Sequence, residues 1–300
     1  MRGHEGPAVE VDDLVKTFGR LRAVDGLSLR VEAGEVHGFL GPNGAGKSTT
    51  IRVLLGMYHR DGGTVRVLGH DPADGAGAVT RRTAYVPGDV ALWPHLTGGQ
   101  TLDALAALRG ARDRRREAEL IEAFRLDTSK PVRTYSKGNR QKVALVAALA
   151  APCDLLVLDE PTSGLDPLQE EVFMGAVRRV AEDGRTVLLS SHVLAEVDRL
   201  CRTVTIIKDG RTVESGLLTE LRHLRASHLT FRLPDGVGLT LPEEVDAPVE
   251  RADGATEVSV PARWVPEVLR VLLGARASEI TCVPASLEDL FLRHYEATAR

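Results

Sequence analysis

Gly41-Pro42-Asn43-Gly44-Ala45-Gly46-Lys47-Ser48 follows the β-like run Glu35 to Leu40 and precedes Thr49 to Gly56, which opens like a helix. The octapeptide satisfies G-x-x-x-x-G-K-[ST]. Its glycines let successive backbone N–H groups turn inward, making a concave anion site at a helix N-terminus. Lys47 adds a point charge suited to β- and γ-phosphates, and the Ser48 hydroxyl is suited to ligate Mg2+. The candidate nucleotide contacts of this stretch are Gly41, Pro42, Asn43, Gly44, Ala45, Gly46, Lys47, Ser48 and Thr49.

Working outward, Ala23 to Val31 reads as a strand. From Gly88 to about Lys142 the chain turns Ala-, Leu- and Arg-rich with a helical period. Asp154 to Leu158 reads as a buried strand ending at Asp159-Glu160, Thr186 to Ser190 as another ending at Ser191-His192, and Val204 to Lys208 as a third. Strands alternating with helices imply a mostly parallel sheet, which gathers its ligands at the carboxyl ends of its strands. Asp159 there suits a hydrated Mg2+, and Glu160 suits the polarisation of an attacking water. Past Arg225 the pattern restarts: strands at His228 to Leu233, Glu257 to Val260 and Glu279 to Val283, and a helix at Arg263 to Leu273. A last helix is expected from Ser286, with Asp289 completing a capping box. A boundary near 221–227 separates a main domain from a small α+β appendage. There is no internal repeat and no low-complexity tract.

Composition narrows the function classes. The 300 residues are 43% hydrophobic and 27% charged, enough for a sizeable core. A net charge of −4 makes a poor general nucleic-acid binder, since that affinity rests on excess cations. Cys153, Cys201 and Cys282 are odd in number and lack metal-ligand spacing, which favours a reducing compartment over a disulfide framework. The N-terminus carries no apolar leader. The longest apolar run, Val143 to Cys153, stops at Asp154, well short of the ~20 residues a membrane span needs.

Tyr135-Ser136-Lys137-Gly138-Asn139 stands with Ser136 23 residues before Asp159. At that spacing the chain resembles the ATP-binding cassette (ABC) family, whose signature reads L-S-G-G-Q. Tyr135 replaces its Leu, Lys137 its first Gly and Asn139 its Gln, while Ser136 and Gly138 match. Leu96-Thr97-Gly98-Gly99-Gln100 is closer in letters but lies too far upstream, and reads instead as a turn and helix start capped by Thr97. Ser163-Gly164-Leu165-Asp166 matches the family's D-loop, His192 its switch histidine, and Phe18 the aromatic that stacks on adenine. The family's Q-loop Gln would follow Tyr85-Val86-Pro87. Gly88 stands there, with Asp89 beside it able to offer Mg2+ an oxygen ligand. Ser286 to Leu292, the signature variant and the Val86 to Asp89 variant resemble type-2 exporter ATPases.

The resemblance implies an α/β fold: a P-loop NTPase ABC ATPase domain over 7–220, with a mixed sheet and a helical subdomain at about 88–142, plus a small C-terminal accessory or regulatory α+β domain over 221–300. It implies ATP and Mg2+ as cofactors, Lys47, Glu160 and His192 as catalytic residues, and Ser48 and Asp159, with Asp89, as metal ligands. Phe18, Ser136, Gly138 and Asp166 would complete the nucleotide contacts. It further implies a homodimer and a separate transmembrane permease holding the protein to the inner face of the cell membrane from the cytoplasm, with Trp93 as a candidate docking anchor. The cargo would be an exported drug, antibiotic or other hydrophobic small molecule. A soluble, non-transport regulatory ABC ATPase is the alternative. Such proteins usually carry two cassettes in one chain, whereas this sequence has one phosphate loop.

Overall fold

Val9–Phe18 forms the first strand, β1, in the computed structural model, which describes residues 6–223, 226–234, 237–242, 244–251 and 253–283. The pattern of β1 hides it in the sequence: its register shifts between Val11 and Leu14, and Asp13 there has φ 49°. The period-2 alternation therefore breaks in mid-strand. After it come β2 (Leu21–Val31), β3 (Val36–Leu40), α1 (Lys47–Leu54), β4 (Gly62–Val67), α2 (Pro72–Arg82) and β5 (Thr83–Val86). Next are α3 (Gly98–Arg109), α4 (Arg114–Ala123), α5 (Lys137–Leu149), β6 (Leu155–Asp159) and α6 (Pro167–Glu182). The first unit, residues 1–216, ends with β7 (Thr186–Ser191), α7 (Leu194–Leu200), β8 (Thr203–Lys208) and most of β9 (Arg211–Leu217).

Two sheets build this unit. The larger has the order β5-β6-β7-β3-β8-β9, with parallel pairing from β5 through β8. β8 and β9 are joined by Asp209-Gly210, both at positive φ, the two-residue hairpin turn. The smaller sheet, β2-β1-β4, is antiparallel. It is the one large departure from the expected mostly parallel arrangement. Helix α1 lies in the apolar layer between the two sheets, with Ile51 and Leu54 packed among Leu14, Leu27, Phe39 and Val157. Each of these buried side chains contributes roughly 2 kcal/mol. That core seats the Gly41 to Ser48 loop at the carboxyl end of β3.

Between Gly88 and Lys142 the continuous helices are α3, α4 and the start of α5; the segments before α3 and before α5 are largely irregular. Thr97 caps α3 in a full capping box with Gln100, as expected of the misleading 96–100 stretch. The second unit, residues 217–300, contains α8 (Leu218–His223), β10 (Ala226–Arg232), β11 (Val249–Glu250), β12 (Thr256–Pro261), α9 (Val265–Gly274) and β13 (Ser278–Val283). Its sheet runs β11-β12-β10-β13 and shares an apolar core of Leu229, Phe231, Val258 and Val260 with Val268 and Leu272 of α9. The helix expected from Ser286, and the exporter-like motif Ser286 to Leu292, lie outside the described residues. Among the described residues, no helix is long and apolar enough to cross a membrane.

Candidate functional site

Helix α1 opens without a side-chain cap. Its N-cap is Gly46, with φ 104° and ψ 0°, and no side chain accepts from the first turn. A Cβ at Gly46 would lie 2.7 Å from the Ala23 carbonyl oxygen, so neither the dihedral nor the space admits another residue. The N–H groups of a first turn must find acceptors, and here that need points outward to an anion. The loop is braced from outside by Gly210, whose N–H donates to the Ala45 carbonyl at 3.0 Å.

Lys47 is 5% exposed, and its ammonium donates to the Gly41 and Pro42 carbonyls at 2.5 and 3.1 Å. Burial lowers its pKa, against the opposing pull of Glu160 and Asp159. Glu160 follows β6 in a left-handed conformation, φ 49°, unusual for a side-chain-bearing residue. Its N–H donates to the Ser190 carbonyl and its own carbonyl accepts from Ser163 N–H, which hold it there. One carboxylate oxygen, Oε1, lies 3.6 Å from Lys47 Nζ and 3.3 Å from His192 Nδ1. The three residues expected to be catalytic therefore meet around a single oxygen atom. Asp159, 3% exposed at the end of β6, accepts from the Ser190 hydroxyl at 2.5 Å.

The other expected residues fall into separate groups. Ser136 is the N-cap of α5, and its Oγ accepts from Asn139 N–H at 3.2 Å. Gly138 packs so closely on the 161–164 loop that a Cβ would lie 2.4 Å from the Gly164 carbonyl. The same loop receives Lys137 Nζ at Ser163 Oγ (2.7 Å) and Gln141 Nε2 at the Pro161 carbonyl (2.8 Å). Helix α5 is thus clamped to the loop after Glu160. Asp166 caps α6 by accepting from Gln169 N–H at 2.9 Å. Phe18 is 43% exposed, packed edge-on to Tyr58 and with Lys16 Nζ 5.3 Å from its ring centre, so it is not a core residue.

Gly88 lies beside the carboxylate pair: a Cβ there would be 3.3 Å from the Asp159 carbonyl oxygen. Asp89 is exposed on the loop that follows. Trp93, 44% exposed, projects from that loop. A cavity of about 170 Å³ lined by Pro87, Val90, Leu92, Leu102, Leu105 and Arg109 lies between the loop and α3.

Sequence reasoning did not find Ser190, Thr162 or Glu196. The Thr162 hydroxyl donates to Glu196 Oε1 at 2.5 Å, and the Ser191 hydroxyl donates to Glu196 Oε2 at 2.9 Å. Burial raises the Glu196 pKa, and the two hydroxyls oppose that shift. Its only sequence signal is a carboxylate one helical turn beyond His192.

Among the described residues no cluster of three His, Cys, Asp or Glu could hold a metal by itself. Mg2+ does not require one: it commonly takes one or two protein oxygens together with substrate phosphates and water. Buried Asp159, with one oxygen committed to Ser190, and the Ser48 hydroxyl in the first turn of α1 are hard oxygen donors of that kind.

The family model described as "ABC transporter" matches residues 24–163. The daunorubicin/doxorubicin resistance ATP-binding protein DrrA of Streptomyces peucetius is 42% identical over 234 residues, covering 76% of this chain and 71% of that protein. The Nod factor export ATP-binding protein I of Paraburkholderia xenovorans is 34% identical over 294 residues, covering 95% and 96%. A solved structure of the ATP binding subunit of an ABC transporter is 33% identical, with a TM-score of 0.68 over 72% of this chain and 92% of that one.

Proposed function

Because the chain belongs to the ABC transporter family, we propose that it is the ATP-binding and ATP-hydrolysing subunit of an exporter, with Glu160 as the general base. The observation that carries this reading is the meeting of Lys47, Glu160 and His192 beside the uncapped tip of α1. The relatives' names, drug resistance and Nod factor export, support a drug, antibiotic or other hydrophobic small molecule as the cargo.

Each residue's part follows from its chemistry. The free N–H groups at the tip of α1 and the Lys47 ammonium receive the β- and γ-phosphates, which take over the contacts Lys47 makes with two carbonyls and with Glu160. Phe18 offers a ring face to adenine. Glu160, released from Lys47, takes a proton from the attacking water, and His192 donates a hydrogen bond to the γ-phosphate. Ser48 and Asp159, with Asp89 from the neighbouring loop, would hold Mg2+. When bound, that ion neutralises charge building on the phosphates.

A second copy supplies Ser136, Gly138 and Asp166 across the nucleotide, so ATP favours the closed homodimer and shifts the population toward it. The cavity beside α3, with Trp93 near it, suits the docking of a separate membrane-spanning permease. Through that permease the protein sits on the cytoplasmic face of the cell membrane. Residues 221–300 act as an accessory or regulatory domain to the ATPase domain of 7–220.

The test is Glu160→Gln. The variant is expected to bind ATP, hydrolyse it hardly at all and accumulate as a dimer by size-exclusion chromatography in ATP. Hydrolysis at the normal rate, or a monomer in saturating ATP, would refute the assignment.

A further inference from the structure

Glu196 is an expensive residue for its place. It is 7% exposed, and no Lys or Arg pairs with it among the described residues; Glu170 adds a like charge nearby, which His192 opposes. A buried carboxylate without a Lys or Arg partner costs stability, and an apolar side chain would fill the same volume more cheaply. What the carboxylate does make is two hydrogen bonds, one to the hydroxyl of Thr162 and one to that of Ser191. Thr162 lies two residues after Glu160, and Ser191 immediately precedes His192. Ser191 Oγ also accepts from Val193 N–H at 2.9 Å, so the backbone is held on both sides of His192. The same Thr162 loop is gripped from its other side by Lys137 and Gln141.

We propose that Glu196 is a positioning residue for hydrolysis: by tying Thr162 to Ser191 it sets the Glu160–His192 geometry. This rests on the reading of Glu160 and His192 given above. Two groups that must address one water and one phosphate are carried here by different strands, β6 and β7. The β6–β7 register ends at Asp159 and Ser190, with one more backbone bond from Glu160 N–H to the Ser190 carbonyl, while Ser191 still pairs with Leu40 of β3. After Asp159 and Ser191 the two segments leave the sheet, Glu160 in a left-handed turn, and beside the Glu160–His192 contact itself the Glu196 bridge ties the two segments together from a third element, α7. A misplacement of about 1 Å at a reacting group can cost on the order of 100-fold in rate.

The experiment measures steady-state ATP hydrolysis, equilibrium ATP binding and thermal melting of the full-length chain for Glu196→Ala, Glu196→Gln, Thr162→Val and Glu160→Gln. Glu196→Ala is expected to lower kcat by about 10- to 100-fold with ATP affinity changed by less than about 3-fold, the pattern of an interaction used in the transition state. Thr162→Val, which keeps the side-chain shape and removes one hydroxyl, is expected to lower kcat by about 3- to 10-fold without unfolding the protein. Glu196→Gln keeps one acceptor and is expected to recover most of the activity. Unchanged kcat in Glu196→Ala and Thr162→Val beside an inactive Glu160→Gln overturns the inference alone, as does a loss confined to melting temperature or matched by lost ATP affinity. Normal turnover by Glu160→Gln overturns the site reading, and the inference with it.

Discussion

Helices α1 and α5 end in opposite ways, although both tips are assigned to the same phosphates. The α1 tip begins at Gly46, which has no side chain to offer, so its N–H groups are left for a ligand. The α5 tip begins at Ser136, whose own oxygen already accepts from Asn139 N–H. A hydroxyl that accepts in this way still has its proton to donate, aimed by the cap itself. On the proposed reading the contrast assigns binding to α1, where an array of N–H groups and a buried ammonium converge, and closure to α5, where a single oriented hydroxyl would make a weaker, reversible contact. The proposed homodimer, opening in every cycle, would need one strong tip and one weak one.

The largest effect expected is that of Glu160→Gln on turnover, a loss on the order of 1,000-fold, within the range of general-base removal, with nucleotide binding intact. It is measured by steady-state hydrolysis alongside equilibrium binding, and a parallel loss of binding would blur the division between the tips. Next is Lys47→Ala, which removes the charge from the strong tip. ATP affinity should fall by about 100-fold, the scale of a charge-assisted contact. Isothermal titration reads it directly, and affinity unchanged in this variant would break the comparison.

Ser136→Ala should do less and do something different. Loss of the cap should cost about 1 kcal/mol of stability, seen as a lowered melting temperature. ATP affinity of the monomer should stay near normal while ATP-driven dimerisation weakens, as read by analytical ultracentrifugation. A fall in monomer affinity like that of Lys47→Ala would make the two tips equivalent.

The smallest effect lies away from both tips, at the strand end bearing Phe18. Asp61 accepts from Thr17 N–H, the Thr17 hydroxyl and Lys16, and these bonds lower its pKa to about 2 from the ordinary 3.8. A carboxyl lowered in the folded state stabilises fully above its unfolded pKa and loses that contribution as pH falls through the folded value. Asp61→Asn should therefore melt slightly lower than the parent at pH 6, and the gap should close between about pH 4 and pH 2. Thermal melts across that range check it, and a gap that persists at the acid end would place the effect in packing instead.

What could be read in the sequence follows from how local each requirement is. The octapeptide at Gly41 needs only backbone dihedrals, one ammonium and one hydroxyl in fixed order, so its letters carry the whole specification. Asp159-Glu160 at the end of four apolar residues is nearly as local. Strand β1 was illegible because bulges around Asp12 and Asp13 destroy its alternation, and with it went the antiparallel sheet. Leu96 to Gln100 shows the limit of letters: the segment imitates a signature, yet its Thr97 and Gln100 are a capping box. Phe18 could be picked out as an aromatic near the N-terminus, but its exposure and its packing against Tyr58 depend on residues far along the chain.

The linear order of residues thus determined the fold class, the Gly41 to Ser48 loop and the carboxylates beside it, because short-range backbone geometry and side-chain type suffice for each. Only the folded chain decided that Lys47, Glu160 and His192 meet at one oxygen, that Lys137 and Gln141 clamp the loop after Glu160, and that Glu196 bridges Thr162 and Ser191. Apart from Ser191–Glu196, five positions apart, those contacts join residues 20 to 113 positions apart. They form only after the strands have paired and the helices have packed, and no local pattern in the chain encodes which distant partner a buried polar group will find.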